Sequence, residues 1–445
     1  MVTTPLELHP PLPPTEYAER RRQFMAALGS GTAILTSAPH TYLHADVEAG
    51  YRQDGNLFYL TGLNEPSAVA VFAPHHGEHQ FVLFVLPKDL EKEVWTGYRV
   101  GPESAKELYG CDAAFPLEQL DEKLPEYVEG ATHIYYHPSR DEAMNQKIYR
   151  LWQKMLNLRQ RKGYGPTVLA DVNPLIHPLR MVKSPVELER IRHAVAIAAK
   201  AHIHAQETTH PGMFEYEIQA GMEAIFRQQG GAPAYPSIVA SGANACILHY
   251  GDNIRQTQDG DLVLIDAGCG WGCYNSDITR TFPVNGRMTT PQKLIYDLVL
   301  KAQLAAIDVV KPGVPYDQIH KTAVRVLVEG LIDLGLLTGD AAEIANEKDE
   351  KQQKYRPYYM HRTGHWLGLD VHDAGIYYQD KESATLLAPG QVFTIEPGLY
   401  IGPHTQPMEG QPAIPDEFRG IGVRIEDDIL VTETGSEVLS AAVPK

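Results

Sequence analysis

Two aspartates occur in neighbouring strand-like runs that a glycine-rich segment separates. Asp266 ends the first apolar run, and Asp277 lies within the run 274–282. The segment that separates the runs has glycine at positions 268, 270 and 272. If the runs form a hairpin centred near Trp271 and Gly272, the two aspartates lie opposite each other, with β-carbons about 5 Å apart on one face. Carboxylates this close in an apolar sheet repel each other unless a cation lies between them. The pair favours a metal site, although either aspartate alone is more typical of a turn cap.

Three further candidate ligands follow later in the chain. Glu396 closes the apolar run 391–396, and Glu426 lies within the strand-like run 421–431, although glutamate is a poor residue for a central strand. His365 adds an imidazole. Four carboxylates and one imidazole suit two divalent ions, and the hard oxygen ligands favour Mn²⁺ over a metal that prefers thiolates.

The composition argues against several other classes of function. The formal net charge is −17 at pH 7, whereas nucleic acids and anionic membranes need a concentrated basic surface. The triplet 20–22 of arginines is too short to reverse this, and we expect it on a solvated helix face. No apolar run approaches the about 18–20 residues that span a bilayer, and the N-terminus lacks a signal-peptide pattern. We therefore expect a cytoplasmic protein without nucleic-acid or membrane partners.

The four cysteines are too few for a disulfide framework in a chain of this length. Cys269 and Cys273 have a C-x3-C spacing that could form half of a zinc site, but Cys111 and Cys246 offer no matching second pair. We therefore expect four buried free thiols.

The first part of the chain alternates strand-like and helix-like segments, which predicts an α/β domain with a mixed sheet. The expected elements are strands at 31–37, 68–72, 80–86 and 133–136 and helices at 16–29, 102–110 and 141–158. Three prolines within residues 171–185 predict a linker. We accordingly place the N-terminal domain at residues 1–178.

Residues 179–445 have the pattern of a second domain, of the α+β class. Ser184, Pro185 and Glu187 form a capping box with proline at the first helical position, so a helix is expected to begin there. The other expected elements are helices at 214–229, 291–311 and 315–335 and strands at 261–267, 274–282, 391–396 and 421–431. Helix pairs that alternate with strand pairs favour helices packed on one side of a largely antiparallel sheet.

Several strings of the sequence resemble a known family. The C-terminal part contains ILHYGDN, DLVLIDAGC, NSDITRTFPVNG, HWLGLDVHD, TIEPGLY and GIGVRIEDD, and the N-terminal part contains YRQDGNLFYLTGLNEP. These strings are similar to those of the creatinase-like "pita-bread" metallopeptidases and, within that group, of the Xaa-Pro aminopeptidases (aminopeptidase P). Because the strings occur in the same order across nearly the whole chain, the resemblance covers both domains.

The resemblance implies a fold, an activity and a set of metal ligands. The C-terminal domain is expected to have the pita-bread fold, and the enzyme to release the N-terminal residue from peptides with proline in second position. A hydroxide bridging two divalent ions, with Mn²⁺ the favoured metal, would attack the peptide carbonyl. The resemblance implies five ligands. Asp277 and Glu426 would bridge the two ions, and Asp266 would chelate one of them. His365 and Glu396 would bind the second ion.

The resemblance also implies roles for residues around the ions. His249 and His372 would contact the substrate and stabilise the developing oxyanion, and His361 would line the substrate pocket. Glu396 would shuttle a proton from the attacking water to the leaving nitrogen. Arg424 would orient nearby carboxylates through its rigid guanidinium, and Tyr400 is expected to support the substrate site in a similar way.

Two further residues concern substrate binding beyond the metal ligands. Trp95 resembles a tryptophan that reaches a neighbouring subunit's active site in tetrameric relatives, so a homotetramer is favoured over a dimer. Between His361 and His365 the chain has Arg-Thr-Gly, where small or apolar residues are expected from the resemblance. The departure leaves the ligand spacing unchanged but affects the expected preference for peptide length.

Two alternatives stay open at this stage. Prolidase shares the fold, metals and mechanism but cleaves only Xaa-Pro dipeptides, and loop lengths alone do not separate the two activities. A non-catalytic peptide-binding protein on the same fold is the other alternative, but such a protein is expected to have lost at least one ligand, and all five are present here.

Overall fold

A mixed sheet organises the first part of the chain. The computed structural model describes residues 11–138 and 141–445, and the chain forms two units whose boundary lies between Arg180 and Met181. Among the described residues, no helix combines the length and the apolar composition needed to cross a membrane. The helices and strands of the N-terminal unit, in chain order, are α1 (Pro14–Leu28), β1 (Thr32–Thr36), β2 (Tyr42–His44), β3 (Val47–Glu48), α2 (Gly55–Thr61), β4 (Val69–Phe72), β5 (Phe81–Val85), α3 (Leu90–Thr96), α4 (Gly101–Tyr109), β6 (Ala113–Pro116), α5 (Leu120–Glu129), β7 (His133–Tyr135), α6 (Glu142–Lys162), β8 (Val168–Ala170) and α7 (Asn173–Met181).

The N-terminal sheet has the order β6-β5-β4-β1-β7-β8. Strand β4 pairs antiparallel with β1 and β5, whereas β1–β7, β5–β6 and β7–β8 pair parallel. Val82 and Phe84 of β5 are fully buried and pack with Val128 of α5 and Ile148 of α6. Burial of such a side chain contributes about 1.5–3 kcal/mol, which fixes the helices on the sheet. The mixed sheet expected from the sequence is confirmed.

The expected solvated face for the arginine triplet is wrong for two of its three members. Arg20 and Arg21 are buried, and their guanidinium groups donate to the carbonyls of Tyr59 (3.1 Å) and Leu60 (3.0 Å). The last carbonyls of a helix lack intrahelical partners, so these two arginines satisfy the C-terminal turn of α2. Only Arg22 is exposed.

The linker expected at residues 171–185 is also wrong over most of its length, because residues 173–181 form helix α7. Val172 and Ile176 are fully buried, which gives the segment an apolar anchor. The Asp171 carboxylate accepts the backbone N–H of Asn173 at 3.1 Å. Pro174 lies in the first turn of the helix, where its missing N–H would have no intrahelical partner.

The second unit consists of antiparallel strand pairs and helices. Its helices and strands, in chain order, are α8 (Pro185–Thr208), α9 (Glu215–Gln228), β9 (Ala232–Pro233), β10 (Ile238–Ser241), β11 (Leu262–Asp266), β12 (Cys269–Trp271), β13 (Tyr274–Asn275), β14 (Thr279–Pro283), α10 (Thr290–Asp308), α11 (Asp317–Asp333), α12 (Ala341–Ala345), β15 (Val392–Ile395), β16 (Gly398–Ile401), β17 (Ile421–Arg424), β18 (Asp427–Val431) and β19 (Ser436–Val438). Its ladders are β10-β11-β14, β13-β12-β9, β15-β18-β19 and β16-β17, and each pairing within them is antiparallel.

Helix starts and core packing follow the sequence pattern in this unit. The capping box at Ser184 is present: its backbone N–H donates to Glu187 at 3.0 Å, and its hydroxyl accepts the Glu187 N–H. Val299 of α10 and Val328 of α11 pack with Val423 of β17 in an apolar core of the unit. The core thus holds the helices against the strands that carry the candidate ligands.

None of the four cysteines forms a disulfide. Cys111, Cys246, Cys269 and Cys273 are all free thiols, as expected, but only Cys111 and Cys269 are buried. The other two are partly exposed.

Candidate metal centre

The four carboxylates of the expected ligand set lie where strands end or break off. Asp266 is the last residue of β11, and Asp277 lies between β13 and β14. Glu396 separates β15 from β16, and Glu426 separates β17 from β18. The continuous strands expected at 274–282 and 421–431 are therefore wrong at these points.

The breaks have a physical cause in the backbone hydrogen bonds. The N–H of Asp277 donates to the Asp428 carboxylate at 3.1 Å, and the N–H of Glu426 donates to the Thr279 carbonyl at 3.1 Å. Because both N–H groups bond outside the neighbouring ladders, the strands are interrupted, and the ligand side chains leave the alternation of the pleat.

The expected pairing of Asp266 with Asp277 is also wrong. Asp266 pairs with Thr279 in the β11–β14 ladder, so the hairpin is centred one residue later than expected. Gly272 and Cys273 form its turn, and both have positive φ, 56° and 69°. Two successive residues with positive φ are typical of a two-residue type I′ turn. The sequence did not indicate this turn, because cysteine is not a residue type that favours positive φ.

The hydroxyl of Tyr235 nevertheless contacts both aspartates. Its oxygen lies 2.6 Å from Asp266 Oδ1 and also forms a short hydrogen bond with Asp277 Oδ1. Tyr235 was missed in the sequence, because it lies in an Ala-Tyr-Pro segment outside the strings that carry the family resemblance.

Three candidate ligands converge on one point. Asp277, His365 and Glu426 each offer a ligand atom within 4.8 Å of the others. His365 Nε2 lies 3.3 Å from Asp277 Oδ2 and 3.7 Å from Glu396 Oε1. The structure thus brings the imidazole and three of the four carboxylates together, and the contacts of Tyr235 bring Asp266 to the same cluster.

Strand β15 positions His365 and Glu396 together. The N–H of Thr394 donates to the His365 carbonyl at 2.9 Å, and the N–H of Glu396 donates to the Thr363 carbonyl at 2.8 Å. His365 Nδ1 lies 3.1 Å from the Trp366 carbonyl. Since a carbonyl only accepts, Nδ1 carries a proton, and Nε2 is the nitrogen that faces the carboxylates, where it can bind a metal once its own proton is released.

The electrostatics of the cluster call for a cation. Burial and the neighbouring carboxylates raise the pKa of Asp277 and Glu426, and burial raises the pKa of Glu396 to about 7. Burial lowers the pKa of His365, but the hydrogen bond and charge of Asp277 outweigh it and raise this pKa to about 9. A divalent ion among these groups would reverse the penalty on the ionised carboxylates. Oxygen donors with one imidazole therefore fit divalent metal ions.

Arg424 begins a chain of hydrogen bonds that leads away from Asp266. Its Nη2 donates to Asp266 Oδ2 at 2.7 Å, and its Nη1 donates to the Tyr400 hydroxyl at 3.0 Å. The Tyr400 hydroxyl in turn lies 2.7 Å from His361 Nε2. Because His361 Nδ1 donates to the Arg362 carbonyl, Nε2 accepts from Tyr400. Burial, followed by the charge of Arg424, lowers the pKa of His361 to about 3, so its ring is neutral.

The remaining expected site residues have more accessible side chains. The His372 ring lies 4.2 Å from the His365 ring, centroid to centroid, at a 68° angle. Burial lowers the pKa of His372, and the charge of His365 lowers it further. Both His249 and His372 are exposed. Trp95 lies in α3 of the N-terminal unit with 87% of its surface exposed.

Two polar contacts around the ligands had not been expected. The Thr279 hydroxyl donates to Glu426 Oε2 at 2.7 Å. Asp428 accepts the N–H of Asp277 as described, and burial with the charge of Asp277 raises the Asp428 pKa. Both residues lie inside strings that carry the family resemblance, so the residue types were visible but their contacts were not.

Two of the three residues in the Arg-Thr-Gly segment between His361 and His365 have a structural role. The Thr363 hydroxyl is buried and lies 2.8 Å from His320 Nδ1 and 2.7 Å from the Tyr359 hydroxyl. A Cβ at Gly364 would come within 1.9 Å of the Thr394 carbonyl oxygen, so β15 leaves room only for glycine. Arg362 is exposed.

Comparison with known proteins matches both units. Residues 189–433 match the model of metallopeptidase family M24, and residues 17–135 match that of the aminopeptidase P, N-terminal domain. The Xaa-Pro aminopeptidase of Escherichia coli (strain K12) is 41% identical over 97% of this chain and 95% of the relative.

Solved structures agree with this result. The Pseudomonas aeruginosa aminopeptidase PepP superposes with a TM-score of 0.91 at 43% identity, covering 98% of this chain and 96% of that chain. Aminopeptidase P from E. coli with the inhibitor Pro-Leu gives a TM-score of 0.89 at 39% identity, covering 98% and 97%. The mixed α+β architecture with a pita-bread domain is thereby confirmed. The chain belongs to metallopeptidase family M24 and, within it, to the Xaa-Pro aminopeptidases with an aminopeptidase P N-terminal domain.

Proposed function

We propose that this protein is a metallo-aminopeptidase that releases the N-terminal residue from peptides with proline in second position. The observation that carries the proposal is the convergence of Asp277, His365 and Glu426 within 4.8 Å in a chain that aligns with Xaa-Pro aminopeptidases over almost its whole length. A protein that only bound peptides would have no need to keep five metal-binding side chains in one buried cluster.

The proposed centre holds two divalent ions, and Mn²⁺ is our choice of metal because the donors are mainly oxygen. Asp277 and Glu426 would bridge the ions, Asp266 would chelate one, and His365 with Glu396 would hold the other. When bound, the ions would polarise the scissile carbonyl and lower the pKa of a water molecule enough to make it a nucleophile near neutral pH.

Glu396 is the proposed proton shuttle. Its carboxylate lies 3.7 Å from His365 Nε2 and 3.8 Å from His361 Nδ1, at the edge of the cluster rather than at its centre. From there it would accept a proton from the attacking water and deliver it to the nitrogen of the leaving proline.

The histidines around the cluster would bind the substrate. His249 and His372 are exposed, so each can donate a ring N–H to the oxygen of the scissile carbonyl as negative charge develops there. Burial and the charge of Arg424 keep His361 neutral, and the Tyr400 hydroxyl orients its ring. We propose that His361 lines the pocket. Arg424 would keep Asp266 and Tyr400 in place for this purpose.

We further propose the domain limits and the assembly. Residues 1–178 would form the N-terminal domain and residues 179–445 the catalytic domain, in agreement with the boundary between the two units. The exposed Trp95 lies beside exposed Leu90, Val94 and Tyr98, and such an apolar group supports a homotetramer in which Trp95 reaches a neighbouring subunit. Light scattering of the wild type and of Trp95→Ala tests the assembly. The cytoplasmic location stays a prediction from the sequence.

Hydrolysis of two peptides tests the function. Purified protein is stripped with a chelator, and Arg-Pro-Pro and Ala-Pro are then supplied with and without Mn²⁺. We expect Mn²⁺-dependent release of arginine from the tripeptide, and no release by the Glu396→Gln variant. Cleavage of Ala-Pro alone would identify a prolidase instead. Absence of cleavage with any divalent metal would contradict a catalytic function.

A further inference from the structure

A buried ion pair lies outside the residues assigned to the metal centre. Lys183 Nζ lies 2.7 Å from Asp373 Oδ2, and the two side chains are 2% and 1% exposed. The partners are 190 positions apart in sequence. Lys183 lies between α7 and α8, and Asp373 directly follows the exposed His372.

A buried ion pair of this kind does not by itself indicate a gain in the free energy of unfolding. Removing two charges from water carries a desolvation penalty that often exceeds their attraction, and apolar pairs of similar volume are often as stable or more so. The neighbours of the pair show what else it holds in place.

The lysine is a fixed point of the fold. Its backbone N–H donates to the Gly390 carbonyl at 2.8 Å, and the preceding Val182 forms an antiparallel bridge with Gln391, next to β15. The segment that leads into β15, which hydrogen-bonds to His365 and is followed by Glu396, thus also fixes the backbone of Lys183.

The aspartate closes the loop that joins the two histidines. Its N–H donates to the Trp366 carbonyl at 2.8 Å, and its Oδ1 accepts the N–H of Asp370 at 3.3 Å. The loop of residues 366–373 therefore begins next to His365 and ends at Asp373, directly after His372.

Glycine at position 368 makes room for the ion pair inside this loop. A Cβ at Gly368 would lie 2.2 Å from Asp373 Oδ2 and 2.9 Å from Lys183 Cε. On its other side, the Asn275 amide donates to the carbonyls of Gly368 (3.0 Å) and Leu369 (2.8 Å). The loop is thus anchored from both sides, by Asn275 near Asp277 and by Lys183.

We propose that Lys183 is a positioning residue for His372: by binding Asp373, it fixes the 366–373 loop so that the His372 ring stays against the His365 ring, 4.2 Å away. The proposal rests on the proposed function insofar as His372 contacts the substrate. Its physical basis is that a shift of about 1 Å in a group that contacts the substrate can reduce the rate about 100-fold.

The test replaces the pair by an apolar one. The double variant Lys183→Met/Asp373→Leu removes both charges of the pair together, and the matched control is Lys293→Met/Asp297→Leu on α10, an exposed pair at 2.9 Å. We expect kcat for Arg-Pro-Pro to fall about 10–100-fold in the buried-pair variant with little change in KM. Hydrogen exchange at residues 366–373 should also rise. The control should change neither quantity.

A double-mutant cycle separates positioning from general disruption. In the His372→Ala background, the buried-pair variant should lower kcat by no more than about 2-fold, because the group it positions is gone. The same loss in both backgrounds, or wild-type kcat and exchange in the buried-pair variant, would overturn the proposal. If the double variant does not fold, Gly368→Ala displaces the pair while keeping both charges and is read against the same outcomes. Failure of the wild type to cleave any peptide would contradict the proposed function, whereas the exchange measurement would still test the anchoring of the loop.

Discussion

The guanidinium of Arg424 donates to the carboxylate of Asp266 with an Nη2–Oδ2 distance of 2.7 Å. The second arm of the same fork donates to the Tyr400 hydroxyl at 3.0 Å. One planar group therefore sets the orientation of a candidate metal ligand and, through Tyr400, that of His361. Lysine cannot replace it at both positions, because an ammonium is a point charge without a fixed fork.

Arg424→Lys should therefore weaken metal binding while leaving the charge unchanged. Loss of an outer hydrogen bond to a ligand typically reduces metal affinity or activity about 10–100-fold, and we expect a loss of this size in Mn²⁺ affinity measured by calorimetry. Arg192→Lys is the control, since Arg192 forms an exposed pair with Glu437. Equal affinities for the two variants would show that Arg424 does not orient Asp266.

Tyr235→Phe should also weaken Mn²⁺ binding. The hydroxyl contacts both Asp266 and Asp277, and its removal leaves the orientation of both carboxylates without that support, so we expect a loss of about 10–100-fold. Tyr358→Phe removes a buried hydroxyl that donates to the Leu336 carbonyl, away from the centre, and should leave the affinity unchanged. Tighter binding by Tyr235→Phe would indicate that the hydroxyl competes with the metal.

Thr363→Val should destabilise the fold, because it leaves the buried Tyr359 hydroxyl and His320 ring without the contact described above. A buried polar group that loses its partner costs about 1–3 kcal/mol. Urea unfolding of the metal-loaded protein measures this loss. The control is Thr322→Val, whose exposed hydroxyl donates to the Gln318 carbonyl, and it should change the free energy of unfolding by less than about 0.5 kcal/mol. A loss no greater than that of the control would contradict the structural role of Thr363.

The metal should stabilise the protein more at higher pH. Burial raises the pKa of Glu396 from 4.5 to about 7, so the folded metal-free chain binds a proton that the unfolded chain has released between these values. This stabilisation is complete below the unfolded pKa and is lost as pH rises through the folded pKa. Metal binding needs the ionised carboxylate and becomes stronger over the same range.

Melting curves with and without Mn²⁺ check the sign. The melting temperature of the stripped protein should fall from about pH 5 to about pH 7, and the gain on adding Mn²⁺ should be larger at the higher pH. A gain that is constant or smaller at the higher pH would mean that the raised pKa of Glu396 does not govern metal binding.

The sequence predicted the helix starts and the residue types of the ligands better than it predicted their setting. Capping at Ser184 is local, and it was read correctly from the sequence alone. The hairpin register depended on Cys273 accepting a positive φ, for which the residue type gives no signal.

Contacts between distant segments were the other limit. The sequence alone indicates surface positions for Arg20 and Arg21, because it does not show that the end of α2 lies beside them. The Lys183–Asp373 pair joins residues 190 positions apart, and a single sequence contains no information on which lysine meets which aspartate. Local patterns predict elements, whereas the partners of buried polar groups depend on tertiary packing.

The most direct test of the two-metal centre is a count of the metal ions that each chain binds. Native mass spectrometry of the stripped protein titrated with Mn²⁺ should show about two ions per chain for a two-metal centre, and Glu426→Gln should bind fewer ions at the same concentration. Glu437→Gln, at an exposed position, should match the wild type. A wild type that binds no Mn²⁺, or a Glu426→Gln variant that binds it as well as the wild type, would contradict the assignment of the metal centre.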